Sequence, residues 1–350
     1  MKKISWFSLN HQDASGDTWY SQGYYNAAIS TIKALQAKEC AVFYNREDIP
    51  YHVNFCPPTY YQIKSKYNIG YTPWESTKIP PHWVDNMRRC DEIWATSDFI
   101  KDVYIKNNVN ANVFTIPHGI SEEFSIIDRE LTGRFNFLHV GGDSKRKNAQ
   151  MAVDAFLELY DGNDDFRLIL KYNKFCLAEI YLNDKLVPAS YHPQIISIPE
   201  NFDTLDLVAL YHKCHCMIYP TMGEGFGMIP FESIATGLPT IVTNLTGCAD
   251  FAKYGIPLEA TFIKADWQDH LYDCDTGEWA SPDFQQLMDL MENVVNEYED
   301  FKKYAIKSAR ILHSEWSWAA TADKILARLE FYENSLSITY GHTCRFLVFN

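Results

Sequence analysis

MIYPTMGEGFGMIPFESIATGLPTIVTN, residues 217–244, is the stretch that decides the fold. Its apolar start predicts a short buried strand that ends at Pro220, and a loop with three glycines follows. The next residues predict a helix that stops at Gly237, with Pro239 just beyond it, as helix ends favour. A second apolar strand closes the segment. This order indicates a βαβ unit, the building block of parallel sheets.

Two carboxylates belong to this loop and helix. Glu224 stands at the mouth of the loop, and Glu232 follows two helical turns later, at most roughly 12 Å along the axis. Glycines at a helix start let backbone N–H groups approach a phosphate, which the helix dipole also favours. The separation suits two carboxylates that hold hydroxyls at opposite ends of one extended ligand. It is too large for an acid–base pair acting on a single bond.

The same alternation of strands and helices occurs in both halves of the chain. In the first half we predict strands in ISWFSL, AVFYN, YHVNF, NIGYT, EIWATS and NVFTIP, and a helix in YYNAAISTIKAL. In the second half we predict strands in FNFLHVGG, RLILKY, MIYPT and PTIVTN, and helices in AQMAVDAFLELY, LDLVALYHK and GMIPFESIATG. Beyond Pro282 we predict helices in LMDLMENVVNEYEDFKKY and WAATADKILARLEFYEN. We therefore expect an α/β protein with two Rossmann-like, doubly wound parallel-sheet domains.

The domain boundaries follow from this order. We expect a first domain at residues 1–118, completed by C-terminal helices at about 318–350, and a second domain at 119–317. Pro117-His118-Gly119 closes the first series of strands, and we expect His118 to be structural.

A basic turn in HVGGDSKRKNAQMAVDAF, residues 139–156, follows the end of another predicted strand and carries candidate ligand-binding residues. The strand ends near Gly141, and Lys145, Arg146 and Lys147 follow before the next helix. Cations at the carboxyl end of a parallel strand face the crevice where doubly wound sheets bind ligands. The forked guanidinium and the compact ammonium both suit a diphosphate.

Composition limits the class of partner. The 350 residues carry a net charge of −14, and 47% of them are hydrophobic, enough for large cores. Residues 1–150 hold 17 basic and 16 acidic side chains, against 7 and 25 in residues 151–300. Such a chain has no global attraction to nucleic acid or to an anionic membrane. Nine scattered cysteines and the absence of a long apolar run predict a reduced, cytoplasmic protein without stable membrane insertion.

The motif in residues 217–244 resembles the donor site of the retaining GT-B glycosyltransferases, which include bacterial mannosyl- and glucosyltransferases that use nucleotide sugars. The matching positions are Glu224, Gly225, Phe226, Gly227, Glu232, Gly237 and Pro239. The resemblance implies that Glu224 contacts the transferred sugar and that residues 225–227 present backbone to the sugar and diphosphate. It also implies that Glu232 holds the ribose hydroxyls.

The resemblance extends to the basic turn, where relatives carry a Gly followed six residues later by a Lys. These are Gly141 and Lys147 here, with Arg146 before the lysine. Many relatives have an Arg directly after that Gly. This chain has Gly142, so Arg146 or Lys145 is expected to take the missing phosphate contact. Gly23 fits the first glycine loop of these enzymes, which approaches the donor phosphate.

Residues 67–99 resemble a subset of these enzymes more loosely. The match is Thr-x-x-Glu-Ser at a strand end, then Pro-Pro-x-Trp, a helix at 84–90, and a strand that ends at Ser97. Relatives place a His or an acidic residue near Glu75, close to the transferred sugar and the acceptor. Glu75 is therefore a candidate for orienting the acceptor hydroxyl. Equally, Glu75 or Ser76 could start a helix and satisfy its N–H groups.

The resemblance implies a retaining, metal-independent transferase with a nucleotide-diphosphate sugar as co-substrate and no other cofactor. The first predicted domain of this chain is rich in aromatic side chains, which favours a saccharide or glycan acceptor. A hydroxymethylated base in DNA is the alternative, because GT-B enzymes of tailed bacteriophages modify DNA in this way. DNA binders need a track of Lys and Arg, for which only Lys64, Lys66 and Arg88-Arg89 could serve. The alternative of another class is a nucleotide-sugar-binding protein without turnover.

Two metal-like patterns are interpreted as structural. The cluster of His212, Cys214, His215 and Cys216 runs from a helix into a buried strand, whereas structural zinc sites favour Cys pairs on turns. Asp273-Cys274-Asp275 lies in a late polar loop and is expected to be solvated.

Overall fold

A computed structural model describes residues 1–9, 22–109, 112–130, 132–141, 144–182, 184–267 and 272–343. Within these ranges two six-stranded sheets are parallel throughout, and helices cover their faces. The prediction of two Rossmann-like domains in an α/β protein is confirmed. We call each sheet, with the helices that pack on it, the first and the second domain.

The first sheet has the strand order β2-β1-β3-β4-β5-β6. Its strands are β1 (Lys3–Ser8), β2 (Ala41–Tyr44), β3 (Tyr51–Phe55), β4 (Tyr67–Thr72), β5 (Glu92–Ala95) and β6 (Asn112–Thr115). Its helices are α1 (Gln22–Ala37), α2 (Pro81–Met87) and α3 (Asp98–Lys106). Strands β3, β4 and β5 are buried along their whole length, as expected for central strands covered on both faces.

The second sheet has the order β11-β8-β7-β12-β13-β14, the order 3-2-1-4-5-6 of a dinucleotide-binding Rossmann fold. Two antiparallel hairpins are added to it. The strands are β7 (Phe135–Val140), β8 (Phe166–Lys171), β9 (Glu179–Leu182), β10 (Lys185–Pro188), β11 (Ile195–Ile198), β12 (Cys216–Tyr219), β13 (Thr240–Thr243), β14 (Ile256–Leu258), β15 (Ala260–Lys264) and β16 (Glu278–Pro282). The helices are α4 (Ala149–Tyr160), α5 (Thr204–Lys213), α6 (Met228–Ala235), α7 (Phe284–Asn296), α8 (Tyr298–Glu315) and α9 (Trp318–Thr343).

The last helix returns to the first domain. Ser317 forms a β-bridge with Ile120, and α9 then buries its apolar face in the core of the first sheet. Arg328 on α9 reaches Glu92 through two hydrogen bonds of 3.0 Å, and Glu92 is 1% exposed. This ion pair ties α9 to the first sheet, because the buried carboxylate of Glu92 would lose its cationic partner without Arg328.

Some boundaries differ from the predictions. Helix α2 begins at Pro81, three residues before the predicted helix, because proline is favoured in the first turn of a helix. Ser97 does not end a strand: its hydroxyl accepts a hydrogen bond from the N–H of Ile100 and so caps α3. The predicted helix at 287–304 is broken at Glu297 into α7 and α8, which lets Tyr298 pack against Phe135.

The two hairpins, β9–β10 and β15–β16, escaped sequence reasoning because several of their side chains are exposed and carry no clear apolar alternation. None of the helices in the described ranges contains an 18-residue apolar window of the kind a membrane-spanning segment requires.

Candidate active site

A cavity of about 550 Å³ lies between the two domains. It is bounded by segments that follow the carboxyl ends of strands in both sheets, which is where doubly wound sheets bind ligands. The first domain contributes Gly23, Tyr24, Asn26, Phe55, Pro73, Glu75 and His118. The second contributes, among others, Gly141, Arg146, Lys147, Lys171, Asn173, Phe202, residues 224–229 and Glu232.

The glycine loop (residues 221–227) joins β12 to α6 and carries Glu224, whose side chain is buried at the cavity. One carboxylate oxygen, Oε1, collects the contacts. It lies 2.7 Å from Nζ of Lys147, 2.9 Å from the hydroxyl of Tyr219 and 3.1 Å from that of Thr221. Nη1 of Arg146 is 3.3 Å away. The loop and the basic turn are therefore joined through one buried carboxylate.

The electrostatics of Glu224 are set by two opposing effects. Burial would raise the pKa of this carboxyl, but the ammonium of Lys147 and the guanidinium of Arg146 lower it to about 2. The residue is therefore an anion throughout the physiological range. Two cations therefore meet at this one anion, which places Arg146 and Lys147 side by side at the cavity, where they could face a diphosphate.

Arg146 also connects the domains. Its Nη2 lies 3.6 Å from the carboxylate of Glu75 in the first domain, and its Nη1 donates a hydrogen bond to the carbonyl oxygen of Gly223. Burial raises the pKa of Glu75, while Arg146 opposes that rise. No helix starts at Glu75 or Ser76; instead the chain passes them on its way to α2, so Glu75 faces the cavity.

The basic turn separates its three side chains. Lys147 lies beneath Gly141, whose φ of +100° is one that L side chains rarely adopt, and an added Cβ would lie 3.3 Å from Cγ of Lys147, a tight contact. Lys145 points away from Glu224 and forms a half-exposed ion pair with Asp266. Of the predicted triplet, the structure brings Arg146 and Lys147 into the cavity but not Lys145.

Glu232 lies on the buried side of α6 and lines the cavity, little more than one turn beyond the glycine loop. It is 8% exposed, and burial raises its pKa to about 8. The two predicted glutamates thus differ in charge: Glu224 is held as an anion by cations, whereas Glu232 is neutral over most of the same pH range.

The glycines of the glycine loop allow close contact between the two domains, and two of them also line the cavity. A Cβ at Gly223 would lie 2.3 Å from the carbonyl oxygen of Glu75, and one at Gly225 would lie 2.4 Å from Cβ of Pro73. Gly227 has a φ of +99°, which a side chain rarely adopts, and it starts α6. Gly225 and Gly227 do line the cavity, and the close backbone approach explains why bulkier residues are absent.

The first domain also brings Gly23 and His118 to the cavity. Gly23 lies in the first turn of α1 rather than in a loop, and it borders the cavity. Burial lowers the pKa of His118 to about 3, so its ring is neutral. That ring meets the ring of Phe226 edge-on at 5.2 Å. His118 therefore packs between the domains while one side borders the cavity.

Two threonines that are distant in sequence from the glycine loop support it, and the sequence did not predict them. The hydroxyl of Thr96, after β5, donates to the carbonyl oxygen of Gly225 at 2.7 Å. The hydroxyl of Thr246, after β13, accepts from the N–H of Glu224 at 3.1 Å. Neither threonine belongs to a local motif, so only the folded chain reveals them.

The metal-like patterns are accounted for by other contacts. Nδ1 of His215 accepts a hydrogen bond from the N–H of Asn136, while Cys214 and Cys216 are buried in the second domain. Asp275 pairs with Lys78. Across the described part of the chain, no group of three or more His, Cys, Asp or Glu side chains is arranged to hold a metal ion.

Solved structures share this architecture across almost the whole chain. Sucrose-phosphate synthase from Thermosynechococcus elongatus superimposes with a TM-score of 0.64 at 13% identity, over 97% of this chain and all of that one. HepE from Anabaena, solved with UDP and glucose, gives 0.62 at 10% identity over 94% of this chain and all of that one. The fold is therefore GT-B, the two-domain class of glycosyltransferases.

The sequence places the chain within that class. A family model described as "Family 4 Glycosyltransferase in conflict systems" matches residues 104–325, and the chain belongs to this family. The serotype-specific mannosyltransferase WbdA of Escherichia coli is 26% identical in an alignment of 259 positions that covers 67% of this chain and 28% of that protein. The chain thus spans less than a third of the length of this relative.

Proposed function

We propose that this protein transfers a glycosyl group from a nucleotide-diphosphate sugar to an acceptor hydroxyl, with retention at the anomeric carbon. The observation that carries the proposal is the set formed by Glu224, Arg146 and Lys147, with Glu232 farther along the same cavity. It supplies two cations for a diphosphate and carboxyls at two separate places on an extended ligand.

In the proposed reaction the nucleotide lies along the cavity with its ribose hydroxyls at Glu232 and its diphosphate at Arg146 and Lys147. The N-terminus of α6 adds the positive end of a helix dipole. As the bond from the anomeric carbon to the diphosphate oxygen breaks, these groups stabilise the negative charge that develops on the leaving group. Because the charges of Arg146 and Lys147 already stand in place, the proposed reaction requires no metal ion.

The acceptor hydroxyl attacks the anomeric carbon on the face from which the diphosphate leaves. Its oxygen forms the new bond, and its proton passes to an oxygen of the departing diphosphate. Glu75 enters the cavity from the first domain, beside Arg146 and opposite Glu224, which supports a role in orienting that hydroxyl. Glu224 contacts the transferred sugar.

A saccharide acceptor is the form of the proposal that we favour. A mannosyltransferase is among the relatives, and the chain's acidity disfavours the phosphate backbone of DNA. The test is a panel of UDP-glucose, UDP-N-acetylglucosamine and GDP-mannose against oligosaccharides and hydroxymethylcytosine DNA, read by mass spectrometry. Sugar mass on the saccharides is the expected result, and NMR of the product then gives the anomeric configuration.

Two variants separate an enzyme from a passive binder of nucleotide sugars. Glu224→Ala removes the central carboxylate, whereas Glu292→Ala removes an exposed carboxylate on α7 and serves as the matched control. Nucleotide release is expected from the wild type and the control but not from Glu224→Ala. Binding of a donor without release by the wild type would establish the passive role, and sugar mass on DNA alone would establish the other acceptor. Addition of EDTA is expected to leave the rate unchanged.

A further inference from the structure

Thr246 has a backbone conformation that a β-branched residue rarely adopts. Its φ is +58°, in the left-handed region, and its side chain is 1% exposed. A β-branched residue in this region is a genuine outlier, because its Cβ crowds the backbone. Strained residues of this kind persist where the surrounding structure over-determines them, and they gather at functional sites.

The left-handed conformation of Thr246 brings two polar groups of this turn to the backbone of Glu224. The left-handed turn aims two consecutive polar groups at the backbone of Glu224: the hydroxyl of Thr246 accepts from its N–H at 3.1 Å, and the N–H of Gly247 donates to its carbonyl oxygen at 2.8 Å. A Cβ at Gly247 would lie 2.5 Å from the carbonyl carbon of Gly225. Thr246 and Gly247 therefore hold the peptide groups on both sides of Glu224 in close contact.

Thr246 itself is buried and is not one of the residues that border the cavity. It can therefore affect the reaction only through its neighbours, and Glu224 is the cavity residue that its hydroxyl contacts. The carboxylate of that residue meets Lys147 and Tyr219 at 2.7 and 2.9 Å, distances that a small rotation of the backbone would change.

We propose that Thr246 is a positioning residue for glycosyl transfer: its strained backbone and its hydroxyl hold Glu224 in register with Lys147 and Arg146. The inference rests on the proposed function. A misplacement of about 1 Å can cost about 10²-fold in rate, so the loss of this hydrogen bond is expected to act on turnover more than on donor binding.

Four variants separate the hydroxyl from the strain. Thr246→Ser keeps the hydroxyl, Thr246→Val keeps the shape without it, and Thr246→Ala and Thr246→Gly both lack it. We expect the Ser variant to retain activity, and the Val, Ala and Gly variants to lose about 10- to 100-fold in kcat with a donor KM within about twofold of wild type. Because glycine adopts a positive φ without strain, the Gly variant should unfold about 1–3 °C above the Ala variant.

The rates are measured as nucleotide release from whichever of UDP-glucose, UDP-N-acetylglucosamine or GDP-mannose the wild type uses fastest. Glu39→Gly is the control, since Glu39 also has a positive φ, +58°, but is exposed at the end of α1 in the first domain. It should change stability without changing kcat.

The outcomes distinguish the two proposals. An active wild type with unchanged kcat in Thr246→Gly, or a Ser variant as slow as the Val variant, overturns the role of Thr246 and leaves the proposed function standing. A wild type that releases no nucleotide from any of the donors overturns the proposed function, and the role of Thr246 with it. If the Val variant fails to fold, the Gly variant, which places no steric demand on the turn, decides.

Discussion

The hydroxyl of Thr96 in the first domain donates a hydrogen bond of 2.7 Å to the carbonyl oxygen of Gly225 in the glycine loop of the second. Both residues line the interface between the domains, and Thr96 is fully buried. The backbone next to Glu224 is therefore held partly by the opposite domain.

Replacing Thr96 by Val tests this dependence. Valine has the same shape but leaves the carbonyl of Gly225 without this hydrogen bond, and the unpaired group weakens the contact between the domains. We expect kcat/KM to fall about tenfold, measured as nucleotide release. Thr31→Val is the matched control, because Thr31 is a buried threonine whose hydroxyl donates to a carbonyl within α1. Equal rates for both variants would show that the contact between domains is dispensable.

Lys147→Ala removes one cation from the proposed diphosphate site. It also leaves Glu224 with less compensation for its burial. We expect turnover to fall about 10²–10³-fold, the scale for loss of one preorganised donor. Steady-state kinetics on a verified pair of donor and acceptor gives the value. The exposed Lys307→Ala on α8 controls for loss of a positive charge. A kcat/KM near wild type would rule out contact between Lys147 and the leaving group.

Glu75→Gln tests the proposed role at the acceptor. Burial raises the pKa of Glu75, so the wild-type transfer rate should fall toward acid pH as the carboxylate takes up a proton, and this fall should begin at a higher pH than for an ordinary carboxyl. The variant should lose about 10²-fold in transfer and should lack this acid limb. Donor hydrolysis by water should fall much less, because water needs no such orientation. Both rates are followed from pH 5 to 8, with Glu292→Gln as the control, and a parallel loss of both reactions would contradict the assignment.

Glu232→Gln is expected to change the pH dependence of stability. The folded chain keeps the proton of Glu232 up to a pKa of about 8, whereas the unfolded chain releases it near 4.5. Because the folded state binds the extra proton, this residue reduces stability progressively as pH rises between these values, by about 4–5 kcal/mol in all. In urea unfolding the variant should match wild type at pH 4 and exceed it at pH 8. The same variant should bind UDP or GDP more weakly. If its stability in urea depended on pH as that of the wild type does, Glu232 would not be the buried, protonated carboxyl described above.

Arg328→Ala should destabilise the protein by about 3 kcal/mol, since it leaves the buried Glu92 with its hydrogen bonds from Tyr67 and Trp94 but without its cation. The measurement is urea unfolding followed by tryptophan fluorescence. Arg46→Ala breaks an exposed pair with Asp48 and should change little. A loss for Arg328→Ala no larger than that of the control would mean that α9 is held by its apolar contacts alone.

Much of this molecule can be read from residues that are close in sequence. The segment at 217–244 predicts its strand, loop and helix because glycines, Pro239 and the apolar run act within a few residues of one another. The same holds for α4, whose predicted and observed limits agree at Ala149 and Tyr160. The two doubly wound domains follow from repetition of such local patterns.

The sequence alone therefore determined the fold class, the resemblance to GT-B glycosyltransferases, and Glu224, Glu232, Arg146 and Lys147 as candidates. Only the tertiary structure decided which candidates meet: Arg146 and Lys147 turn to Glu224, while Lys145 turns to Asp266. It also decided that Glu224 is an anion and Glu232 is neutral, because burial and nearby cations depend on the whole fold. Thr96 and Thr246 reach the glycine loop from 129 and 22 residues away. No local pattern can encode such contacts, since they arise from the packing of separate strands and domains.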